Sequence, residues 1–147
     1  MILFKYIMGT TQSTLSYKIN FEDMQTEINT GKKYIINTLP STEQKCLITK
    51  TLDYKLEEKF INDNLKNLSC GIIIYGKNCN DETIYKKYTQ LINLGFTNVF
   101  MYTGGLFEWL CLQDIYGTDL FSTTHAENDI IKYKAQSIFS NINLLTN

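Results

Sequence analysis

A chain of 147 residues, 44% hydrophobic and 20% charged, has the size and make-up of one globular domain, able to bury roughly two-thirds of its unfolded surface without staples. Its 15 acidic and 14 basic residues leave a net charge near −1, so charge alone points to no polyanionic partner. Every basic residue is Lys, so no planar guanidinium is present to read a guanine edge or clamp a phosphate, and the composition speaks against nucleic-acid binding.

Residues 1–16 read as an N-terminal segment, small and polar over 9–16, ahead of a domain spanning 17–117 and a C-terminal tail or arm, 118–147. The domain opens with a short extended piece, Tyr17 to Ile19. A helix follows, with Asn20 as its N-cap, Phe21, Met24 and Ile28 at helical spacing, and Gly31 closing it. "YIINTL", Tyr34 to Leu39, reads as a buried strand ended by Pro40, the only proline. "CLIT", from Cys46, is short and extended. Asp53 then caps a helix that places Leu56, Phe60, Ile61 and Leu65 on one face.

"GIIIY" is the next strand, and it runs into the polar loop Gly76, Lys77, Asn78, Cys79, Asn80 and Asp81. Beyond the loop, Ile84, Tyr88, Leu91 and Ile92 recur at helical spacing, with Asp81 and Glu82 in the first turn and Gly95 past the end. "TNVFMY" is a strand. "GGLFEWLCLQDIYG" starts a last helix whose Phe107, Leu110 and Cys111 are expected to face inward. Strands alternating with helices predict an α/β domain with a parallel sheet covered on both faces. Ligands bind such sheets at the carboxyl ends of the strands, where the loop after "GIIIY" lies.

A strand that enters a helix through small residues turns several amides into one concavity at the positive end of the helix dipole. A thiolate held there would have a lowered pKa and act as a nucleophile, which singles out Cys79. The alternative is that Cys79 is only a small side chain in a turn. Cys46, Cys70, Cys79 and Cys111 stand 24, 9 and 32 positions apart with no CxxC and no neighbouring His, which is not a zinc pattern; no metal or cofactor is expected. His125, the only histidine, sits in a polar stretch and reads as solvated. Trp109 reads as a core residue.

The stretch "GIIIYGKNCNDETIYKKYTQLINLGFTNVFMYTGGLFEW" resembles the second half of a rhodanese homology domain: strand, active-site loop, helix, "LGFTNV" into a strand, then Gly104, Gly105 and Trp109 as Gly-Gly-x-x-x-Trp. A weaker likeness reaches back to about residue 17. The resemblance implies a rhodanese-like fold with a five-stranded parallel sheet and helices on both faces. It also implies sulfurtransferase chemistry on thiosulfate or persulfides, in which a cysteine at the first loop position carries sulfur. That position is Gly76 here. Asn37 and Leu39 stand where the family has Asp and Arg, "EQKCLI" replaces His-Ile-x-Gly-Ala, and no arginine closes the loop. The related phosphatases place Arg six residues after the Cys; from Cys79 that position is Tyr85.

Three functions are open on this reading. The chain is a non-catalytic or regulatory binding module, for a protein partner or a small sulfur-containing anion; or a non-standard sulfurtransferase or redox-responsive domain using Cys79 with Lys77 and the loop amides; or a structural protein on a membrane or particle. No apolar run reaches membrane-spanning length and "MILFKYIMG" lacks the features of a signal peptide, so an intracellular, cytoplasmic protein with reduced thiols is expected. "MGTTQS" matches a myristoylation pattern if translation starts at Met8, which would acylate Gly9 and bring the protein to a membrane surface. The oligomeric state is not legible.

Overall fold

Among the residues described by the computed structural model, 17–140, four parallel strands form one sheet. They are β1 (Lys18–Ile19), β2 (Tyr34–Asn37), β3 (Ile72–Tyr75) and β4 (Val99–Tyr102), in the order β1-β4-β3-β2. The helices are α1 (Phe21–Thr30), α2 (Glu57–Asn64), α3 (Thr83–Asn93) and α4 (Gly105–Tyr116). Side chains alternate between faces along each strand, so β3 feeds two cores. Ile72 and Ile74 join Ile36, Val99 and Met101 under Phe60 of α2 and Ile84 and Leu91 of α3. Ile73 and Tyr75 join Ile35 and Tyr102 under Met24 of α1 and Leu106, Trp109 and Leu110 of α4.

Local signals set the helix ends. Asn20 and Asp23 form a reciprocal capping box, with the Asp23 amide donating to Asn20 Oδ1 at 3.0 Å and the Asn20 amide to Asp23 Oδ2 at 3.2 Å. Asp53 caps a 3-10 turn, Tyr54–Leu56, before α2 proper begins at Glu57. That offset turns Leu56 and Leu65 out to solvent and leaves Phe60 as the buried anchor of α2. In α4 the inward residues are Leu106, Trp109 and Leu110, while Phe107 and Cys111 are half-buried.

Among the described residues the sheet has four strands, not the five expected. The short extended segment from Cys46 makes only a single bridge, Ile48 with Thr123, and Thr51 just beyond it another, with Ile35. Its backbone groups are claimed elsewhere: the Thr124 amide donates to Leu47 O at 2.8 Å, the Thr49 amide to Ser122 O at 3.2 Å, and the Leu47 amide to Thr124 Oγ1 at 3.1 Å. Lys50, at φ 69, also takes the chain out of an extended path. A residue run can continue the ladder only with free donors and acceptors, and here the C-terminal chain has taken them.

Residues beyond α4 pack back onto the domain. Phe121 meets Trp109 edge-on with ring centroids 5.0 Å apart, and Trp109 Nε1 donates to Ser122 O at 3.1 Å. Tyr133, in a 3-10 turn at Ile130–Tyr133, is buried in the same core, whereas Ile131, Ile138 and Phe139 are exposed. Among the described residues no helix is long and apolar enough to cross a membrane. Met8 and Gly9 lie outside the described residues. Phe121→Ala is expected to lower the free energy of unfolding in urea by about 3–5 kcal/mol, because it empties a core site. Leu120→Ala, at a side chain 58% exposed, is expected to stay within about 0.5 kcal/mol.

Candidate functional site

The loop after β3 is built from its backbone outward. Tyr75, the last residue of the strand, is fully buried; its hydroxyl accepts from the Ile48 amide at 3.1 Å and lies 2.8 Å from Thr51 Oγ1. The carbonyls of Gly76 and Lys77 then accept from the first free amides of α4, Leu106 and Phe107, each at 2.9 Å. This contact brings the backbones very close. A Cβ on Gly105 would lie 2.8 Å from Asn78 N and 2.9 Å from Gly76 O, and φ is +71 there, so glycine is required twice over.

Asn78 holds the interior of the loop. Its side chain is buried, with Oδ1 accepting from the Asn80 amide at 2.9 Å and Nδ2 donating to Tyr133 O at 3.0 Å, while its carbonyl accepts from the Asp81 amide at 3.2 Å. Asp81 then folds its carboxylate into the concavity. Oδ2 accepts from the Lys77 amide at 2.8 Å, and Oδ1 accepts from the Thr83 amide at 3.0 Å and the Thr83 hydroxyl at 2.6 Å. Thr83 Oγ1 is also 2.7 Å from Thr38 Oγ1, which ties the loop to the end of β2. The cradle at the start of α3 is therefore occupied by an anion of the chain's own.

Gly76 sits against that carboxylate. A Cβ there would stand 2.5 Å from Asp81 Oδ2 and 2.8 Å from Ile84 Cγ2. Its φ is not among the positive ones, so the obstacle to a side chain is contact rather than backbone conformation. Lys77 points away and pairs with Glu43, Nζ to Oε2 at 2.9 Å. Cys79 is on the exposed crest, its Sγ 3.8 Å from Asn80 Oδ1. The Lys77 and Thr83 amides thus donate to Asp81, and the Asn80 and Asp81 amides to Asn78. Cys46, Cys70 and Cys111 are each at least partly covered, and burial raises their thiol pKa values.

The residues around the loop were only partly singled out by sequence. Asn37, at the end of β2, forms a reciprocal amide pair with Gln44 at 3.0 and 2.8 Å and accepts from the Leu39 amide at 3.1 Å. An open groove of about 820 Å³ lies beside the loop, walled by Lys77 to Thr83 on one side and Asp129 to Gln136 on the other. A second, of about 670 Å³, lies beyond Thr38 and Thr83 between α2 and α3. Asp81 followed by Thr83 is an Asx-turn signature that could have revealed the carboxylate's role. Tyr133 is one of the spaced apolar residues of the tail, with Ile130, Ile131, Ile138 and Phe139, that could pack as an arm, but nothing local paired it with Asn78. Among the described residues no cluster of His, Cys, Asp and Glu could hold a metal ion.

No protein-family model matches this chain, and no curated protein matches it. Solved structures do. The solution structure of the rhodanese-like domain of the Alr3790 protein from Anabaena sp. matches with a TM-score of 0.51 at 20% identity, over 82% of this chain and 92% of that one. This chain has the rhodanese-like fold. The BH2092 protein from Bacillus halodurans matches with a TM-score of 0.63 at 19% identity, covering 95% of this chain and 98% of that one. A protein from Lactobacillus plantarum matches with a TM-score of 0.58 at 16% identity over 74% of this chain.

Two measurements probe this geometry. Gly76→Cys alone should cost about 1–3 kcal/mol, the usual penalty of overpacking. Combined with Asp81→Ala it should cost less than the sum of the two single changes in a urea-unfolding cycle, because the second change removes the atom that the new side chain meets. Burial lifts the Tyr75 hydroxyl far above its ordinary pKa, and burial followed by the Glu108 carboxylate, 2.9 Å away, does the same for Tyr102. Folded pKa values raised in this way contribute stability that is complete below the unfolded value of about 10 and is lost above it. An absorbance titration should show these two phenols ionising only as the protein unfolds at alkaline pH.

Proposed function

We propose that this chain is a rhodanese-like binding module that has given up the sulfur-carrying chemistry of the loop. The observation that carries this reading is the Asp81 carboxylate, which accepts from the Lys77 and Thr83 amides and lies 2.5 Å from where a Cβ on residue 76 would be. An anionic donor such as thiosulfate would have to displace a tethered carboxylate that is already hydrogen-bonded, and it would find no nucleophile beneath it. The grooves on either side of Thr38 and Thr83 are open and mixed in character, polar side chains alternating with apolar surface, which suits a protein segment laid across the carboxyl ends of the strands.

A second reading keeps Cys79 as a redox-responsive or sulfur-accepting thiol. It is favoured by one observation: of the four cysteines, Cys79 alone is exposed, and it stands on the crest of the loop. One assay separates the two. Incubation with thiosulfate and cyanide is expected to give no thiocyanate above the uncatalysed rate, and mass spectrometry no added sulfur on the Cys79 peptide. Turnover that disappears in Cys79→Ser would establish the second reading instead.

A further inference from the structure

The chain after Thr124 returns to the loop through a single point. Between Phe121 and Ser140, Tyr133 is the one fully buried residue; Ile130 is half-covered, and Ile131, Lys132 and Lys134 beside it are exposed. The turn that carries it is braced internally: the Glu127 carboxylate accepts from Lys132 Nζ and, at 3.1 Å, from the Asp129 amide. Tyr133 puts its ring into the core shared by Leu47, Tyr75 and Trp109, and its carbonyl accepts from Asn78 Nδ2 at 3.0 Å. The Asn78 side chain in turn accepts from the Asn80 amide and its backbone carbonyl from the Asp81 amide, so one residue joins the strap to the turn from which Asp81 reaches inward.

We propose that residues 125–137 are a latch on the loop: seated, Tyr133 satisfies the buried Asn78 amide and holds Gly76 to Thr83 in the closed, Asp81-filled state; released, it leaves that amide without an acceptor and the loop rearranges. A buried donor is costly to leave unpaired, so the loop and the strap must move together. The latch also forms one wall of the larger groove, since Asp129, Ile131, Lys132, Lys134 and Gln136 line it. A partner that lifts this segment therefore opens the groove and frees the loop in one event. The coupling is reciprocal: disturbing either end must be felt at the other. It concerns the conformation of the loop and does not depend on what the loop binds or on whether Cys79 reacts.

Hydrogen exchange on the full chain tests it from both ends. Tyr133→Ala keeps the carbonyl but removes the buried ring that seats it beside Asn78, so the strap is expected to lift and exchange of the Asn80 and Asp81 amides to speed about tenfold, as when one net hydrogen bond is lost, while Ile72–Tyr75 keep their wild-type protection. Ile131→Ala, at a side chain 65% exposed in the same turn, should leave the loop unchanged. Asn78→Asp keeps the acceptor for Asn80 but sets an oxygen against Tyr133 O, and should speed exchange across residues 128–137 by a similar factor. That second variant takes no volume from the core and decides the matter if Tyr133→Ala does not fold. Unchanged exchange at 128–137 in Asn78→Asp, or loop amides in folded Tyr133→Ala that exchange as in the wild type, overturns the latch.

Discussion

The central strand, Ile72–Tyr75, is buried on both faces, and this double burial organises the molecule. Four consecutive apolar or aromatic side chains cannot be covered by one layer, so helices must pack on each side, and parallel neighbours deliver them through crossovers. Ile72 and Ile74 draw α2 and α3 to one face; Ile73 and Tyr75 draw α1 and α4 to the other. The place left for polar backbone to meet water near the centre of the sheet is at the strand ends. The loop from Gly76 to Glu82 is where β3 leaves the core, and its position follows from the burial of the strand that precedes it.

At that exit two helices offer amides, and the chain spends both sets on itself. The start of α4 donates to the Gly76 and Lys77 carbonyls, and the start of α3 and the Lys77 amide converge on Asp81. A carboxylate tethered two residues before the amide it caps reaches it with little loss of freedom, and it favours the positive end of the helix as an external anion would. Gly76 and Asp81 are complementary in this arrangement, since the missing Cβ leaves the room that the carboxylate uses. The missing Cβ at Gly76 and the filling of the cradle by Asp81 form one structural arrangement.

The C-terminal chain shows how backbone hydrogen bonding can redirect an element without changing its sequence character. Leu47, Ile48 and Thr49 are apolar or β-branched and suit a strand, but their partners are Ser122 to Thr124 rather than β2. Phe121 and Tyr133 enter the core that α4 covers, and the buried Asn78 side chain takes its acceptor from the same segment. Edge, core and loop are thus completed by residues distant in the chain.

Local chemistry made much of the framework legible. The Asn20 cap with Asp23, Gly31 past α1, the Ile-rich β3 and the spacing of Ile84 and Leu91 each act over a few residues, so sequence alone located the strands β1 to β4, the four helices and the loop between β3 and α3. It also indicated the rhodanese-like fold, through the order of those pieces and the Gly104, Gly105 and Trp109 spacing. What it could not decide was which partner each group would choose. Whether Leu47 to Thr49 pair with β2 or with Ser122 to Thr124, whether the loop amides face Cys79 or Asp81, and whether Tyr133 reaches Asn78 depend on contacts between residues far apart in sequence. Periodicity and capping are properties of neighbours along the chain; competition for a buried donor is settled only when the fold brings the rivals together.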